Sequence, residues 1–197
     1  MRLRNTDSIC WSRCLHLYHI QNECMKLPEP MEHISYGPDE RQGLNIMRCA
    51  QRGRDDTILV FIHGGAWMQG DRHMHNFVAN GMHPHNISVI TLGYRLAYKG
   101  SGLDHCVDDV IQGIQTVQKS FPKSNLLLAG HSAGGHLVMT ALPRLPTMQG
   151  IRKVFCISGI YSLQEIVNTS VGVHVNFSRD QVHYIEISFE RFNILFD

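Results

Sequence analysis

Two short stretches hold residues suited to acyl chemistry. Gly130-His131-Ser132-Ala133-Gly134 has the form G-x-S-x-G, in which small residues two positions either side of a serine allow a sharp strand-to-helix turn that lifts the hydroxyl clear of the fold. Ser132 in that place is a nucleophile for a carbonyl carbon, at a helix N-terminus whose dipole and free N–H groups stabilise an oxyanion. The same five residues also suit a plain glycine-rich turn whose serine only caps a helix. His63-Gly64-Gly65-Ala66-Trp67 bears on that choice. The small side chains of Gly65 and Ala66 leave their backbone N–H groups open to a substrate oxygen, and the N–H of Ala133 is a third donor. His63, Gly64, Trp67, Gly130 and Gly134 support the two turns. The plainer reading is a Gly-Gly turn closed by a core tryptophan.

For these stretches to act together, the fold must bring both to one rim. Thr57 to Ile62 is an apolar and β-branched run, which predicts a strand buried on both faces that runs straight into His63. Ile87 to Leu92 and Asn125 to Ala129 repeat the pattern. Between them, Val107, Val110, Ile111, Ile114 and Val117 recur at helical spacing, predicting a helix over 104–121 with Asp104 at its N-cap. Ser132 to Leu142 reads as a helix ended by Pro143, and Lys153 to Ser158 as another buried strand. Upstream, Tyr36-Gly37-Pro38-Asp39 is a turn, Leu44 to Cys49 alternates like a strand, and Gly53-Arg54-Asp55-Asp56 is a second turn. Strands alternating with helices imply a parallel α/β sheet whose carboxyl edge carries both glycine turns. The chain divides into a leader (1–31, closed by Pro28-Glu29-Pro30), a core (32–170) and an atypical tail (171–197).

The 197 residues suffice for one domain with a sizeable core. Eighteen basic against seventeen acidic residues give +1, which offers no footprint for nucleic acid or an anionic membrane. The longest apolar run, Ile58 to Ile62, falls far short of the roughly 20 residues a membrane span needs. Met1-Arg2-Leu3-Arg4 leads into polar residues, so no signal peptide is read and a cytoplasmic setting is expected. Six cysteines without a C-x-x-C pair read as reduced thiols, and the sequons at Asn86, Asn168 and Asn176 as chance. His73, His75, His83 and His85 form two H-x-H pairs without an ordered third ligand, so surface histidines and no metal are expected. His131 is expected to pack beneath its turn, Asp108 and Asp109 to be solvated or to tie down a loop, and Met68, Met74 and Met82 to line the site or core. Oligomeric state is unreadable, with a homodimer left open.

Taken together, these residues resemble the α/β-hydrolase superfamily, and within it the esterase, lipase and arylformamidase branch, over about residues 34–168. Tyr36-Gly37-Pro38-Asp39, Gly70-Asp71, Tyr94-Arg95-Leu96-Ala97 and Ile157-Ser158-Gly159-Ile160-Tyr161-Ser162-Leu163 look like signatures of that branch. The H-G-G-x-W form and the S-G-I-Y-S-L segment are most similar to the kynurenine formamidases, with carboxylesterases and isoprenylcysteine methylesterases as alternatives. The resemblance implies a three-layer α/β fold around a mostly parallel sheet. It implies a cofactor-free serine hydrolase of small amides or esters, such as N-formylkynurenine in tryptophan catabolism, with Ser132 as nucleophile and the N–H groups of Gly65 and Ala66 as oxyanion hole.

It also implies an acid and then a histidine on loops after later strands, and the chain stops before those positions. Asp180 with His183, or His174, are the remaining candidates, and a carboxylate three positions from its histidine is not how two separate loops present a triad. The sheet is therefore expected to be truncated on its C-terminal side, and a catalytically inactive hydrolase-like protein is the rival from another class. From Val171 the resemblance ends. Tyr184 to Phe196 alternates enough for a strand that would cover the exposed edge, or it is a foreign ending.

Overall fold

The computed structural model describes residues 31–49, 57–97, 102–175 and 177. The leader up to residue 30, the turn at 53–56, and Asp180, His183 and Tyr184 to Phe196 lie outside the described residues.

Continuous β-branched and aliphatic runs form the centre of the sheet. β3 (Thr57–Ile62) and β4 (Ile87–Leu92) have the bounds expected from their apolar runs, and five of six residues in each are buried. β5 (Asn125–His131) extends two residues beyond its apolar run, through Gly130 and His131. β1 (Met31–Ser35), β2 (Gly43–Met47) and β6 (Ile151–Ile157) complete a six-stranded sheet of order β1-β2-β4-β3-β5-β6. β4, β3, β5 and β6 run parallel, while β1 pairs antiparallel with β2, and β2 with β4. β6 differs from the buried strand expected: Arg152, Lys153 and Ile157 are exposed because β5 is its only neighbour among the described residues.

Side chains alternate across the sheet, so each face builds its own core. Val60, Ile62, Ile90, Leu92, Leu126 and Leu128 meet α2 (Asp104–Ser120) and α3 (Ala133–Ala141) through Val110, Ile114, Val117 and Leu137. Leu59, Phe61, Val89 and Ala129 face the other way, toward the short α1 (Val78–Met82) and its buried Ala79. The result is helix, sheet, helix, with a further short helix, α4 (Ser170–Val175), near the end of the described chain.

Asp104 is not the N-cap of α2. Leu103 occupies that position without a side-chain cap bond, and Asp104 lies in the first turn, where its negative charge complements the helix dipole. Among the described residues no helix is long and apolar enough to cross a membrane, and no cluster of three or more His, Cys, Asp or Glu side chains could hold a metal ion. Cys106 and Cys156 are buried free thiols.

Candidate active site

Parallel strands deliver their carboxyl ends to one rim, and the two glycine turns occupy adjacent places on it because β3 pairs directly with β5, Ile62 opposite Gly130. Ser132 is the residue between β5 and α3. Its backbone sits at φ 52 and ψ −119, a left-handed conformation that a side-chain-bearing residue adopts only when its surroundings compel it. The serine makes no side-chain cap bond, so its hydroxyl is not spent on holding the helix end. Its own N–H donates to the Ile157 carbonyl at 2.9 Å, and its carbonyl accepts from Gly135 at 3.0 Å.

The glycines are there because nothing larger fits. A Cβ on Gly130 would lie 2.6 Å from the Gly135 nitrogen, and one on Gly134 would press into the carbonyls of Ile62 and His63 as β3 passes over the start of α3. A Cβ on Gly64 would lie 2.7 Å from the His131 carbonyl oxygen and 3.1 Å from Ser132 Cβ. That last contact joins the two turns directly: the H-G-G loop packs on the backbone of the serine turn.

Gly65 (φ 116), Ala66 (φ 50) and Trp67 (φ 59) follow one another in left-handed backbone. The Gly65 carbonyl closes the loop by accepting from Met68 at 3.0 Å and Gln69 at 2.9 Å. The N–H groups of Gly65, Ala66 and Ala133 reach no acceptor among the described residues, which leaves three amides free at the rim. Ser158, at φ 49 just past β6, adds a further strained residue to the same edge.

The supporting residues lie behind. Trp67 is fully buried; its indole N–H donates to His136 Nδ1 at 3.3 Å, and its ring meets those of His136 and Phe177 edge-on. His63 is buried too, donating from Nδ1 to the Gly64 carbonyl at 2.8 Å and stacking on Tyr94 at 4.3 Å, while the Tyr94 hydroxyl donates to the His63 carbonyl at 3.0 Å. Burial disfavours the imidazolium of both histidines and brings each pKa down to about 4, so both are neutral at physiological pH.

Other expectations meet mixed outcomes. His131 does not pack beneath the turn: as the last residue of β5 its side chain alternates outward and is exposed. His75 is half-buried, not a surface residue, and stacks on Phe61 at 5.3 Å. Asp108 is exposed and pairs with Arg144, whereas Asp109 is buried and ties down the loop after β4 through Arg95 and the turn after β1 through Gln42. Met68 and Met82 pack on the two cores. His174 stands exposed on α4 with Nδ1 on the Ser170 carbonyl at 2.6 Å. His136 and Arg41, which prove to brace the H-G-G loop, were not singled out by the motifs, because their partners lie far away in sequence.

The model of the family described as the alpha/beta hydrolase fold matches residues 59–186. Kynurenine formamidase of Salmo salar is 29% identical over 173 residues, spanning 85% of this chain and 58% of its own length. Kynurenine formamidase of Danio rerio is 30% identical, spanning 71% of this chain and 49% of its own. The chain thus spans about half the length of the curated relatives it matches. Esterase B of Lactobacillus rhamnosis superposes with a TM-score of 0.67 at 19% identity, over 89% of this chain and 63% of that structure. With the sheet order, the serine turn and the family match in agreement, the chain belongs to the α/β-hydrolase fold family.

Proposed function

We propose that this chain carries the nucleophile and oxyanion hole of a serine hydrolase acting on an amide or ester carbonyl, with the formamide of N-formylkynurenine as the leading substrate. The observation that carries the proposal is the packing of Gly64 on the His131 carbonyl and Ser132 Cβ, which sets a strained serine beside three unpaired amides. Ser132 Oγ would attack the formyl carbon, the oxygen would gain negative charge facing Gly65, Ala66 and Ala133, and the C–N bond would break as the amine leaves with a proton. Water would then release formate from the formyl-serine. Each donor contributes about 3 kcal/mol at the transition state. The preference for a formamide over an ester draws on likeness to the kynurenine formamidases of Salmo salar and Danio rerio.

The serine also needs a base. His174 is turned to its own helix, and Asp180 and His183 are the other candidates within the chain. This favours a second reading, a hydrolase-fold protein without turnover. A fluorophosphonate probe separates the two: labelling that disappears in Ser132→Ala is expected, and no labelling of folded protein would support the second reading. Comparing loss of N-formylkynurenine with p-nitrophenyl acetate turnover then ranks formamidase against general esterase.

A further inference from the structure

The H-G-G loop is braced from the turn between β1 and β2, an element with no part in either motif. Arg41 reaches across with Nη1 donating to the Gly70 carbonyl at 2.9 Å and lies 3.6 Å from the Asp71 carboxylate. Arg72 answers in the opposite direction, donating from Nη1 to the Glu40 carbonyl at 2.8 Å and from Nε to Asn45 Oδ1 at 3.1 Å. Two arginines therefore cross between residues 40–41 and 70–72. Their roles differ: Arg72 is buried and anchors the chain after the loop, whereas Arg41 holds the loop's last residue.

Gly70 is where a pull is felt by the amides. It sits in left-handed backbone, and a Cβ there would lie 2.7 Å from both the Gly64 carbonyl oxygen and His63 Nδ1. Gln69, next to it, presses its carbonyl against Gly65. A displacement of Gly70 thus moves Gly64 and Gly65 through direct contact, with no soft side chain between to absorb it.

We propose that Arg41 is a positioning residue for the oxyanion hole, fixing the direction of the Gly65 and Ala66 N–H groups by its hold on the Gly70 carbonyl. This rests on the serine-hydrolase reading above. An oxyanion donor stabilises charge that develops only in the transition state, so loosening it lowers kcat and leaves ground-state binding in place. Because misplacement by about 1 Å costs up to roughly a hundredfold, a loop that is slackened but still present is expected to lose about tenfold.

The test uses the full chain with Arg41→Met, which keeps the aliphatic stem, Arg41→Lys, which keeps one donor and the charge, and Arg144→Ala as a surface ion-pair control. Arg41→Met is expected to lower kcat on p-nitrophenyl acetate and the fluorophosphonate labelling rate about tenfold, with KM within about twofold. Arg41→Lys is expected to recover most of that loss, and Arg144→Ala to match wild type. Amide hydrogen exchange should quicken at 65–70 in Arg41→Met. Wild-type labelling rate in Arg41→Met, a KM change as large as the kcat change, or no recovery in Arg41→Lys would overturn the proposal. A wild-type chain that never labels at Ser132 instead overturns the hydrolase reading, and exchange at 65–70 then decides alone whether Arg41 holds the loop. If Arg41→Met fails to fold, Arg41→Lys decides: exchange at 65–70 as in wild type supports the hold, and exchange quickened there overturns it.

Discussion

Ala66, Trp67, Ser132 and Ser158 all carry side chains in left-handed backbone, and all four lie just past the carboxyl ends of β3, β5 and β6. Each such conformation costs of order 1–3 kcal/mol, a cost that the rest of the fold has to offset. Ser132 and Ala66 were legible beforehand because the glycines around them leave a pattern in the letters. His136 and Arg41 were not, since a hydrogen bond between distant residues imposes no spacing. The juxtaposition itself can be tested at Gly64. Gly64→Ala drives a methyl into the His131 carbonyl and Ser132 Cβ, so fluorophosphonate labelling is expected to fall by about a hundredfold or more, with a far-UV circular dichroism spectrum like that of wild type. Labelling at the wild-type rate would mean that the two turns do not touch.

Among the elements, those buried on both faces were the easiest to read. β3 and β4 match their apolar and β-branched runs residue for residue, because a strand flanked by strands is buried along nearly its whole length. β1 gave no such signal: four of its five residues are exposed, and it is held by backbone pairing to β2. β6 has an apolar stretch like that of a central strand yet pairs only with β5 among the described residues, since residue type reports burial propensity and not the presence of a neighbour. The pieces are joined by Asp109 on α2, whose carboxylate accepts from Gln42 at 2.8 Å and from the Arg95 backbone and guanidinium at 2.7–2.9 Å. Asp109→Ala leaves the buried Gln42 amide unmatched and frees the half-buried Arg95 from the loop it holds. A loss of about 3 kcal/mol in urea unfolding is expected, and a loss under 1 kcal/mol would show that water replaces the carboxylate.

Taken whole, the described residues include two buried neutral imidazoles, His63 within the H-G-G stretch and His136 on α3 against Trp67, and this sets the response to acid. His63 and His136 bind a proton near pH 6.5 in the unfolded chain but only near pH 4 in the folded one. The unfolded state therefore takes up protons first. The stability these residues contribute is fully present above about pH 6.5 and is lost as the pH falls toward 4. Thermal melts are expected to show a midpoint that declines through this window, and His136→Leu should lessen the decline; a midpoint constant between pH 7 and 4 would contradict the neutral assignment.

The hairpin of β1 and β2 has a consequence for biosynthesis. Its inner strand pairs with β4, which the ribosome makes only after β3 and the whole H-G-G loop have emerged. The nascent hairpin must wait with its open side unmatched, and Arg41, translated before the glycine it grips, can close on Gly70 only once the loop has appeared. Pausing between those two events lengthens the interval in which a hydrophobic ribbon stands uncovered, so the safest translation schedule for this chain is a fast one through residue 92.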